Sequence, residues 1–482
     1  MLHNKVGVPK SFSLFGHFSV VFFLSISFLQ AETFENFKRS TADAFLAYKD
    51  KNDIEFAKYL KQHFRAYIAL KPVNIYDGKK PDIIPPSMSK KVKSSGPTIS
   101  VNIQKQETMQ EPLIQKSKDE VKDIIFSFFG SNLKFDIPNG IKNARYYPQN
   151  QKGISRFFNI VASSEYESLL HDIDTVCNNL ELNDWGVYLL INTISKHALL
   201  NSDDAKLLSW FLFNKMGYFV KVGLVSKHIV LMYNSKKIIY SIPSYKFKDK
   251  SFYLIENNKS NPTRVYSYEK DYPSSTKAFD LSLKTLPKFI NNVKKKTLKF
   301  KQYSKNYEIE FSYNKNIIDF MMTYPQADYE TFFNAPIQNQ TYEDIAKGLK
   351  KYIDGKKAST AINFVLNFVQ NAFLYQVDNK QFGHEKVMFA QEALYYEKSD
   401  CEDRAVLFSY LAKKLFGFSV VGVKYKDHMA TALYIPIKGD EVRAKSKRYV
   451  IADPSYINAS IGQSMPKYKL LKPESFIMID KN

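Results

Sequence analysis

The stretch that decides the fold reads SDCEDRAVLFSYLAKKLFG and covers residues 399–417. Leucines recur in it every four residues, which is the spacing of one buried face of an α-helix. Ser399 and Glu402 have the spacing of a capping box, and Gly417 is typical of a helix C-terminus. The pattern therefore predicts one helix that carries Cys401 in its first turn. The leucines are Leu407, Leu411 and Leu415.

Cys401 is placed for chemistry by this prediction. The first turn of a helix has free backbone N–H groups and the positive end of the helix dipole, and both favour a thiolate. A lowered pKa supplies a nucleophile at neutral pH, and the same amides can stabilise a developing oxyanion. Gln391 and Tyr396, upstream of the cysteine, are candidate side-chain donors to that oxyanion. For Asp403 and Arg404 we expect salt bridging on the helix face.

Two further residues supply what a thiolate needs. A strand is predicted over residues 418–425, and His428 starts the next one. Asp453 closes a third strand, RYVIA. A thiolate needs a base, and an imidazole needs an acceptor that fixes its tautomer. Adjacent strands could bring His428 and Asp453 together beside Cys401, so these three are the predicted catalytic residues.

Three motifs carry a family resemblance. The segments DCEDRA, DHMATALYI and YVIADPSYINASIG resemble the Cys-His-Asp core of the transglutaminase-like superfamily over roughly residues 355–466. The stretch before them is similar to uncharacterised bacterial envelope proteins with such a domain. The resemblance implies a papain-like thiol site on an α+β fold, with Cys401 as nucleophile, His428 as general acid/base and Asp453 as orienting carboxylate. Members act on amide bonds by hydrolysis or acyl transfer without a metal or cofactor, and some are inactive.

The same pattern occurs a second time, 200 residues earlier. Residues 201–228 align with residues 401–428 without a gap, and a PSY tripeptide follows in both regions. This favours a diverged internal duplication, with chance similarity as the alternative. In the first copy Asn201 stands at the cysteine position and Ile242 at the aspartate position, so we predict a catalytically inactive domain. A slip of one residue would put Ser202 there instead. The residues of the first copy that are identical to their aligned partners are Asp203, Ala205, Leu207, Ser209, Gly217, Val220 and His228.

The N-terminus predicts export. Lys5 and Lys10 precede an apolar stretch at residues 18–29, and Ala31 follows it. This order is typical of a secretory signal, and the stretch is shorter than a spanning helix needs. We therefore predict a periplasmic or extracellular protein of the cell envelope, cleaved after Ala31 and without a stable membrane span. An uncleaved anchor is the alternative.

Composition excludes other classes. Two cysteines cannot form a disulfide scaffold or a four-thiolate metal site. Cys177 is predicted to be a buried thiol of the core, and a disulfide bond to Cys401 is the alternative. His384 and Glu385 begin a zincin motif, but Met388 stands where its second histidine belongs. The net charge of +21 permits an anionic envelope polymer as a partner. Aromatic residues alternate with lysines at 299–313, but alternation with a period of two indicates a strand pair with one solvated face, so no nucleic-acid partner is expected.

The predicted organisation combines these features. We expect an exported thiol enzyme that acts on a protein or peptide substrate of the envelope through a Cys401 thioester. The alternative is an inactive binding or scaffolding protein that keeps the fold. The predicted parts are a signal peptide (1–31), a helical segment (32–70), a flexible linker (71–120), a degenerate transglutaminase-like domain (121–255), a β-rich connecting region (256–342) and a transglutaminase-like catalytic domain (343–482).

Overall fold

The computed structural model describes residues 51–76, 78–88, 93–103, 122–255 and 261–479. The chain divides after Tyr59 into two units. In the first unit, residues 51–59 are helical (α1). The predicted signal peptide and the first part of the predicted helical segment lie outside the described residues.

The second unit begins with a difference from the sequence prediction. The helical segment was expected to continue to residue 70, but Arg65–Ile68 is a strand (β1). It pairs antiparallel with a later strand, with Tyr67 opposite Val265. Sheet pairing therefore overrides the apolar spacing that favours a helix here.

The predicted flexible linker is packed over much of its described length. No helix or regular strand is assigned in the described residues between 71 and 103. Yet Ile75, Lys80, Ile84 and Val101 are all buried. The linker prediction is therefore wrong for this part of the segment, because scattered apolar side chains and one lysine anchor it. Residues 104–120 lie outside the described residues.

An α-helical layer follows a short hairpin. The hairpin consists of β2 (Ile124–Phe128) and β3 (Ser131–Phe135), which alternate buried and exposed residues. The helices are α2 (Asn139–Asn143), α3 (Gln151–Ala162), α4 (Tyr166–Asn179), α5 (Asp184–Ala198) and α6 (Ser202–Lys215).

A six-stranded sheet packs against α6. Its strand order is β1-β8-β4-β5-β7-β6. On α6, Trp210 and Phe211 are fully buried, so this helix is central to the core. The strands are β4 (Val220–Val225), β5 (His228–Asn234), β6 (Ser244–Phe247), β7 (Lys250–Tyr253) and β8 (Arg264–Ser267).

The connecting region is less β-rich than predicted. It contains a long antiparallel hairpin, β9 (Val293–Gln302) and β10 (Lys305–Asn314). Within this region, which was predicted to be β-rich, the apolar run IIDFMM lies in a helix, α7 (Lys315–Met322). The Asn314 side chain accepts a hydrogen bond from the Asn316 amide at 3.1 Å, which caps this helix. Helices α8 (Tyr329–Phe333) and α9 (Asn339–Ile353) follow.

The C-terminal part is a helical group packed on a five-stranded antiparallel sheet of order β15-β16-β14-β13-β17. Its helices and short strands are α10 (Ala358–Asn371), β11 (Leu374–Tyr375), α11 (Asp378–Gln381), α12 (Ala390–Tyr395), β12 (Lys398–Ser399) and α13 (Cys401–Phe416). The sheet strands are β13 (Val420–Tyr425), β14 (His428–Leu433), β15 (Glu441–Ala444), β16 (Lys447–Ala452) and β17 (Ser475–Met478). The fold is mixed α+β.

The two aligned regions have the same local architecture. A helix, a left-handed glycine and two antiparallel strands occur in each, as α6-β4-β5 and α13-β13-β14. Both strand pairs keep the 200-residue offset, since Val225 pairs with His228 and Tyr425 pairs with His428. The helices begin one residue apart in the alignment, at Ser202 and Cys401.

The correspondence does not extend to the PSY tripeptides. The strand beside β14 is β16, which ends just before Asp453. The strand beside β5 is β7, whereas Ile242 precedes β6 on the far side of β7. Ile242 is therefore not the topological counterpart of Asp453, and that part of the alignment is corrected.

Within the described residues, no helix is both long enough and apolar enough to cross a bilayer.

Candidate functional site

The start of α13 confirms one prediction and corrects another. Cys401 is the first helical residue, and Gly417 ends the helix in the left-handed conformation at φ 68°. The cap, however, is not Ser399 with Glu402. The N-cap is Asp400, whose amide donates to Asp403 Oδ2 at 3.2 Å.

The two residues of the predicted capping box make other contacts. Ser399 Oγ accepts a hydrogen bond from Arg404 Nε at 3.1 Å. The Glu402 side chain contacts Cys401 and Lys80. Arg404 is fully buried and donates to the carbonyls of Gln370 and Phe373, so it does not form the exposed salt bridge that we expected.

The environment of Cys401 is closed to solvent. Its side chain is fully buried, and its thiol donates to Glu402 Oε2 at 3.2 Å. The backbone amide of Met429 hydrogen-bonds the sulfur. Burial raises the pKa of Cys401 well above its ordinary value, and the charges of Glu402 and Asp400 raise it further. The lowered pKa predicted from the helix N-terminus is therefore wrong for this closed arrangement, because desolvation and two carboxylates outweigh the dipole.

His428 and Asp453 form a buried pair. His428 Nε2 lies 2.9 Å from Asp453 Oδ2. The other oxygen, Oδ1, accepts from the Ser455 amide at 3.0 Å, the Ser455 hydroxyl at 3.0 Å and the Tyr456 amide at 3.2 Å. Burial alone would raise the pKa of Asp453, but His428 and these donors hold it below its ordinary value. The Asp453 carboxylate is therefore a charged acceptor that fixes the orientation of the His428 ring.

The second ring nitrogen of His428 is available. Among the described residues, Nδ1 is buried and has no hydrogen-bond partner. The ring of Tyr468 stacks on the imidazole, with centroids 4.6 Å apart and an interplanar angle of 18°. Tyr468 in turn donates to Asp427 Oδ1 at 3.1 Å. Stacking and the Asp453 bond together hold the ring with Nδ1 free.

Sheet pairing brings the three predicted residues to one region. Strand β14 pairs with β16 so that Thr431 lies opposite Ala452, which puts His428 and Asp453 at the same end of the two strands. Helix α13 packs on β14, and the Met429 amide on that strand contacts the Cys401 sulfur.

Lys80 is the site residue that the sequence did not indicate. It comes from the segment predicted as a linker, and its ammonium group contacts four carboxylates. Nζ lies 2.6 Å from Glu402 Oε1, 2.6 Å from Asp400 Oδ2, 2.6 Å from Glu385 Oε2 and 3.0 Å from Asp378 Oδ2. A separation of about 300 residues leaves no local sequence signal for these contacts.

The carboxylates around Lys80 have opposite pKa shifts. Burial and neighbouring acids raise the pKa of Asp378 to about 9 and that of Asp403 to about 7. Burial also raises the pKa of Glu402, but the charge and hydrogen bond of Lys80 outweigh it and hold the pKa low. The main charge pair at neutral pH is therefore Lys80 with Glu402, with Asp378 protonated.

These acids could also be considered as metal ligands. Oxygens of Asp378, Asp400 and Asp403 lie within 4.8 Å of one another, and so do ligand atoms of Asp400, Cys401 and Glu402. The Lys80 ammonium contacts Asp378, Asp400 and Glu402, so a cation of the chain already neutralises this cluster.

The two candidate oxyanion donors differ in position. Gln391 is buried on α12, and its Oε1 accepts from the Gln338 amide at 2.6 Å. Its Nε2 has no partner among the described residues. The ring of Tyr396 packs against Phe382 with centroids 5.2 Å apart. Neither contact joins these side chains to Cys401. The backbone at the start of α13 remains the nearer source of donors.

The first copy has a different arrangement. Asn201 is the N-cap of α6, and its Oδ1 accepts from the amides of Asp203 and Asp204 at 2.9 and 3.2 Å. The side chain of His228 is 77% exposed, and its Nδ1 lies 3.2 Å from Asp203 Oδ2. Ser202 is the first residue of α6, as Cys401 is of α13, but the His228 imidazole contacts Asp203 and is exposed, unlike the buried His428–Asp453 pair.

Cys177 agrees with its predicted role in packing. It is buried on α4, and burial raises its pKa to about 12. Both Cys177 and Cys401 are free thiols, so the alternative of a bond between them is wrong for this structure.

Comparison with known proteins adds no relative. Protein-family models, curated proteins and solved structures were all compared with the chain, and none of them matches it.

Proposed function

We propose that this protein is an exported thiol enzyme of transglutaminase-like type that acts on amide or peptide bonds through a thioester on Cys401. One observation carries the proposal. His428 is oriented by Asp453 through Nε2 at 2.9 Å, while Nδ1 is left without a partner in the described part of the chain. That is the state of a base that is ready to accept a proton near a nucleophile.

Each residue has a defined role in the proposed reaction. The Cys401 thiol turns from Glu402 to His428 Nδ1 and transfers its proton. The sulfur then bonds to the substrate carbonyl carbon, and the free amides at the start of α13 donate to the oxyanion. The C–N bond breaks as the Nδ1 proton passes to the departing amine. Water or an amine next attacks the thioester, which restores the thiol and completes hydrolysis or transfer.

The test is capture of the acyl intermediate. The full chain is incubated with a mixture of envelope peptides, quenched in acid and analysed by peptide mass spectrometry. We expect an acyl adduct on Cys401 and none on Cys177. Cys401→Ala should abolish the adduct, and the matched variant Cys177→Ala should keep it. Turnover that survives in Cys401→Ala would contradict the mechanism.

An inactive binding or scaffolding protein is the second candidate. The full burial of Cys401 and His428 and the raised pKa of the thiol favour it, because a closed site cannot admit substrate. This candidate predicts that Cys401→Ala leaves binding to envelope proteins unchanged and that no adduct forms. A Cys401-dependent adduct would reject it.

The proposed location has its own test. Cell fractionation should place the protein outside the cytoplasm, and intact mass should correspond to a chain that begins at Glu32. A full-length chain in the membrane fraction would instead indicate a retained anchor.

A further inference from the structure

One segment of the predicted linker lies across the candidate site. We call residues 71–76 and 78–88 the strap. At one end, the Ser241 amide donates to the Val73 carbonyl at 2.8 Å. At the other end, the Ser87 amide donates to the Ile457 carbonyl at 2.8 Å. One anchor lies just before β6 and the other lies after β16, so both are far from the strap in sequence.

Between its ends the strap passes the residues that build the site. A Cβ placed on Gly78 would lie 3.2 Å from Asp427 Cβ, so the strap backbone runs directly beside the residue before His428. Ile84 is buried in the same cluster as Tyr425 and Tyr468, and the latter stacks on His428. The Tyr375 hydroxyl donates to the Pro81 carbonyl at 3.1 Å.

Two strap side chains contact the carboxylate that accepts the Cys401 thiol. The Tyr76 hydroxyl lies 3.5 Å from Glu402 Oε2, the atom that accepts the Cys401 thiol. The Lys80 ammonium lies 2.6 Å from the other oxygen of Glu402. Tyr76 and Lys80 are both buried. The strap therefore places one tyrosine hydroxyl and one ammonium group on the carboxylate that is paired with the Cys401 thiol.

The strap is held by few side chains. Within its described residues it has no helix or regular strand, and Pro81, Pro85 and Pro86 provide no amide donors. Ile83 is 80% exposed. Burial is confined to four of its described residues, so the strap has few contacts to lose compared with a core element. Those residues are Ile75, Tyr76, Lys80 and Ile84.

One edge of the strap is open to solvent. A cavity of about 490 Å³ is lined by strap residues and by α11 with the loops on either side of it. It reaches Lys80 and Glu385, and the side chain of Glu385 is 27% exposed, whereas Asp378, Asp400 and Glu402 are fully buried. Displacement of Lys80 can therefore begin at Glu385 without opening the core.

We propose that the strap is an autoinhibitory cover, in which Lys80 acts as a tethered cation that closes the Cys401 site until the strap is displaced. This inference rests on the proposed function, because it regulates the same cysteine. It explains why a chain with an oriented His-Asp pair has a cysteine that solvent does not reach. It also gives the predicted linker a function.

The test measures access to Cys401 in the full chain. Alkylation by iodoacetamide is followed at each cysteine by mass spectrometry for wild type, Lys80→Met and the matched control Lys79→Met. The Lys79 side chain is 86% exposed and pairs only at the surface with Asp82. We expect at least a tenfold faster reaction of Cys401 in Lys80→Met. Cys177 and the Lys79→Met control should stay within twofold of wild type.

The electrostatic effect of removing Lys80 acts against the faster alkylation that we expect, so the two effects can be told apart. Lys80 lowers the pKa of Cys401, so its loss alone reduces the thiolate fraction and slows alkylation. A faster reaction therefore reports access. An unchanged Cys401 rate, or an equal rise at Cys177 that signals global unfolding, would overturn the proposal.

A second variant leaves the ion cluster intact. Ile84→Ala loosens the strap without removing a charge, and we expect about a threefold faster reaction at Cys401. If Lys80→Met does not fold, this variant decides, and an unchanged rate rejects the cover. Faster labelling of a strap variant that still forms no acyl adduct with the envelope peptides would keep the cover and reject the enzyme. An adduct on Cys401 without any change in labelling would keep the enzyme and reject the cover.

Discussion

The two helix–strand–strand regions have the same backbone plan but use it differently. In both, the amide of the second residue of the second strand donates to a side chain in the first turn of the helix. In the first region the Ile229 amide donates to Asp203 Oδ1 at 3.0 Å. In the second the Met429 amide hydrogen-bonds the Cys401 sulfur. The same donor thus serves a structural carboxylate in one region and a thiol in the other.

Asp403 shows the same change of role. Its counterpart Asp203 contacts the strand pair, whereas Asp403 accepts from the amides of Met388 and Asp400 at 2.8 and 3.2 Å. The Asp403 carboxylate is buried against the segment before α12, and the amide of β14 is left to the Cys401 sulfur. An identical residue at an aligned position therefore does not imply an identical contact.

Loss of the histidine should have the largest effect and should separate the two regions. On a substrate that Cys401 processes, we expect His428→Ala to lower turnover by about 10⁴-fold or more, because the remaining acceptor of the thiol, Glu402, has a pKa held low and is a weak base. His228→Ala should leave turnover within twofold, since its side chain is 77% exposed. Single-turnover kinetics on both variants measure this. Equal losses in the two variants would remove the distinction between the regions.

Asp453 should matter less than the histidine. We expect Asp453→Asn to lower turnover by about 10²- to 10⁴-fold, because an amide does not stabilise the charged imidazole and disturbs its tautomer. The matched variant Asp203→Asn should keep turnover and lower the free energy of unfolding by about 1 kcal/mol. Kinetics and urea denaturation of both variants provide the readout. A large kinetic loss in Asp203→Asn would show that the first region contributes to the reaction.

The acidic cluster should give the second region a stability that falls with pH. Burial raises the folded-state pKa of Asp378 from its ordinary value of 3.8 to about 9. Between these two values the folded chain therefore binds more protons than the unfolded chain. By linkage, stability is then lost as pH rises, by at most about 1.4 kcal/mol per pH unit for one group. Urea denaturation between pH 5.5 and 7.5 should show this slope, and Asp378→Asn should reduce it.

In the first region a buried lysine titrates at higher pH. Burial lowers the pKa of Lys221 to about 8, so this lysine contributes a slope of the opposite sign above that pH. Below pH 7.5 its proton is retained in both states. An equal slope in wild type and Asp378→Asn would assign the pH dependence to other groups.

Local pattern predicted much of the candidate site. The leucine spacing and Gly417 predicted α13, and the apolar runs predicted β13, β14 and β16. The His428–Asp453 contact followed from strand adjacency. These features depend on periods of two and four residues and on neighbouring strands, which are readable from the sequence.

The features that the sequence missed depend on contacts across long separations. Proline, lysine and serine over residues 71–88 are typical of a linker, and nothing local shows that Lys80 is buried against Glu402. The pKa direction of Cys401 failed for the same reason, since burial and nearby carboxylates come from the tertiary structure. The helix α7 was missed because its apolar residues suit either a strand or a helix.

The smallest expected effect falls equally on both regions. Gly217 and Gly417 end the aligned helices at φ 85° and 68°, a conformation that costs an L-residue about 1 kcal/mol. A Cβ would meet nothing within 4 Å at Gly417 and only contacts at 3.6 Å or more at Gly217. Gly217→Ala and Gly417→Ala should therefore each lower the free energy of unfolding by about 1 kcal/mol, and turnover should be kept. A clear difference between the two in urea denaturation would show that the shared backbone plan does not have the same stability in the two regions.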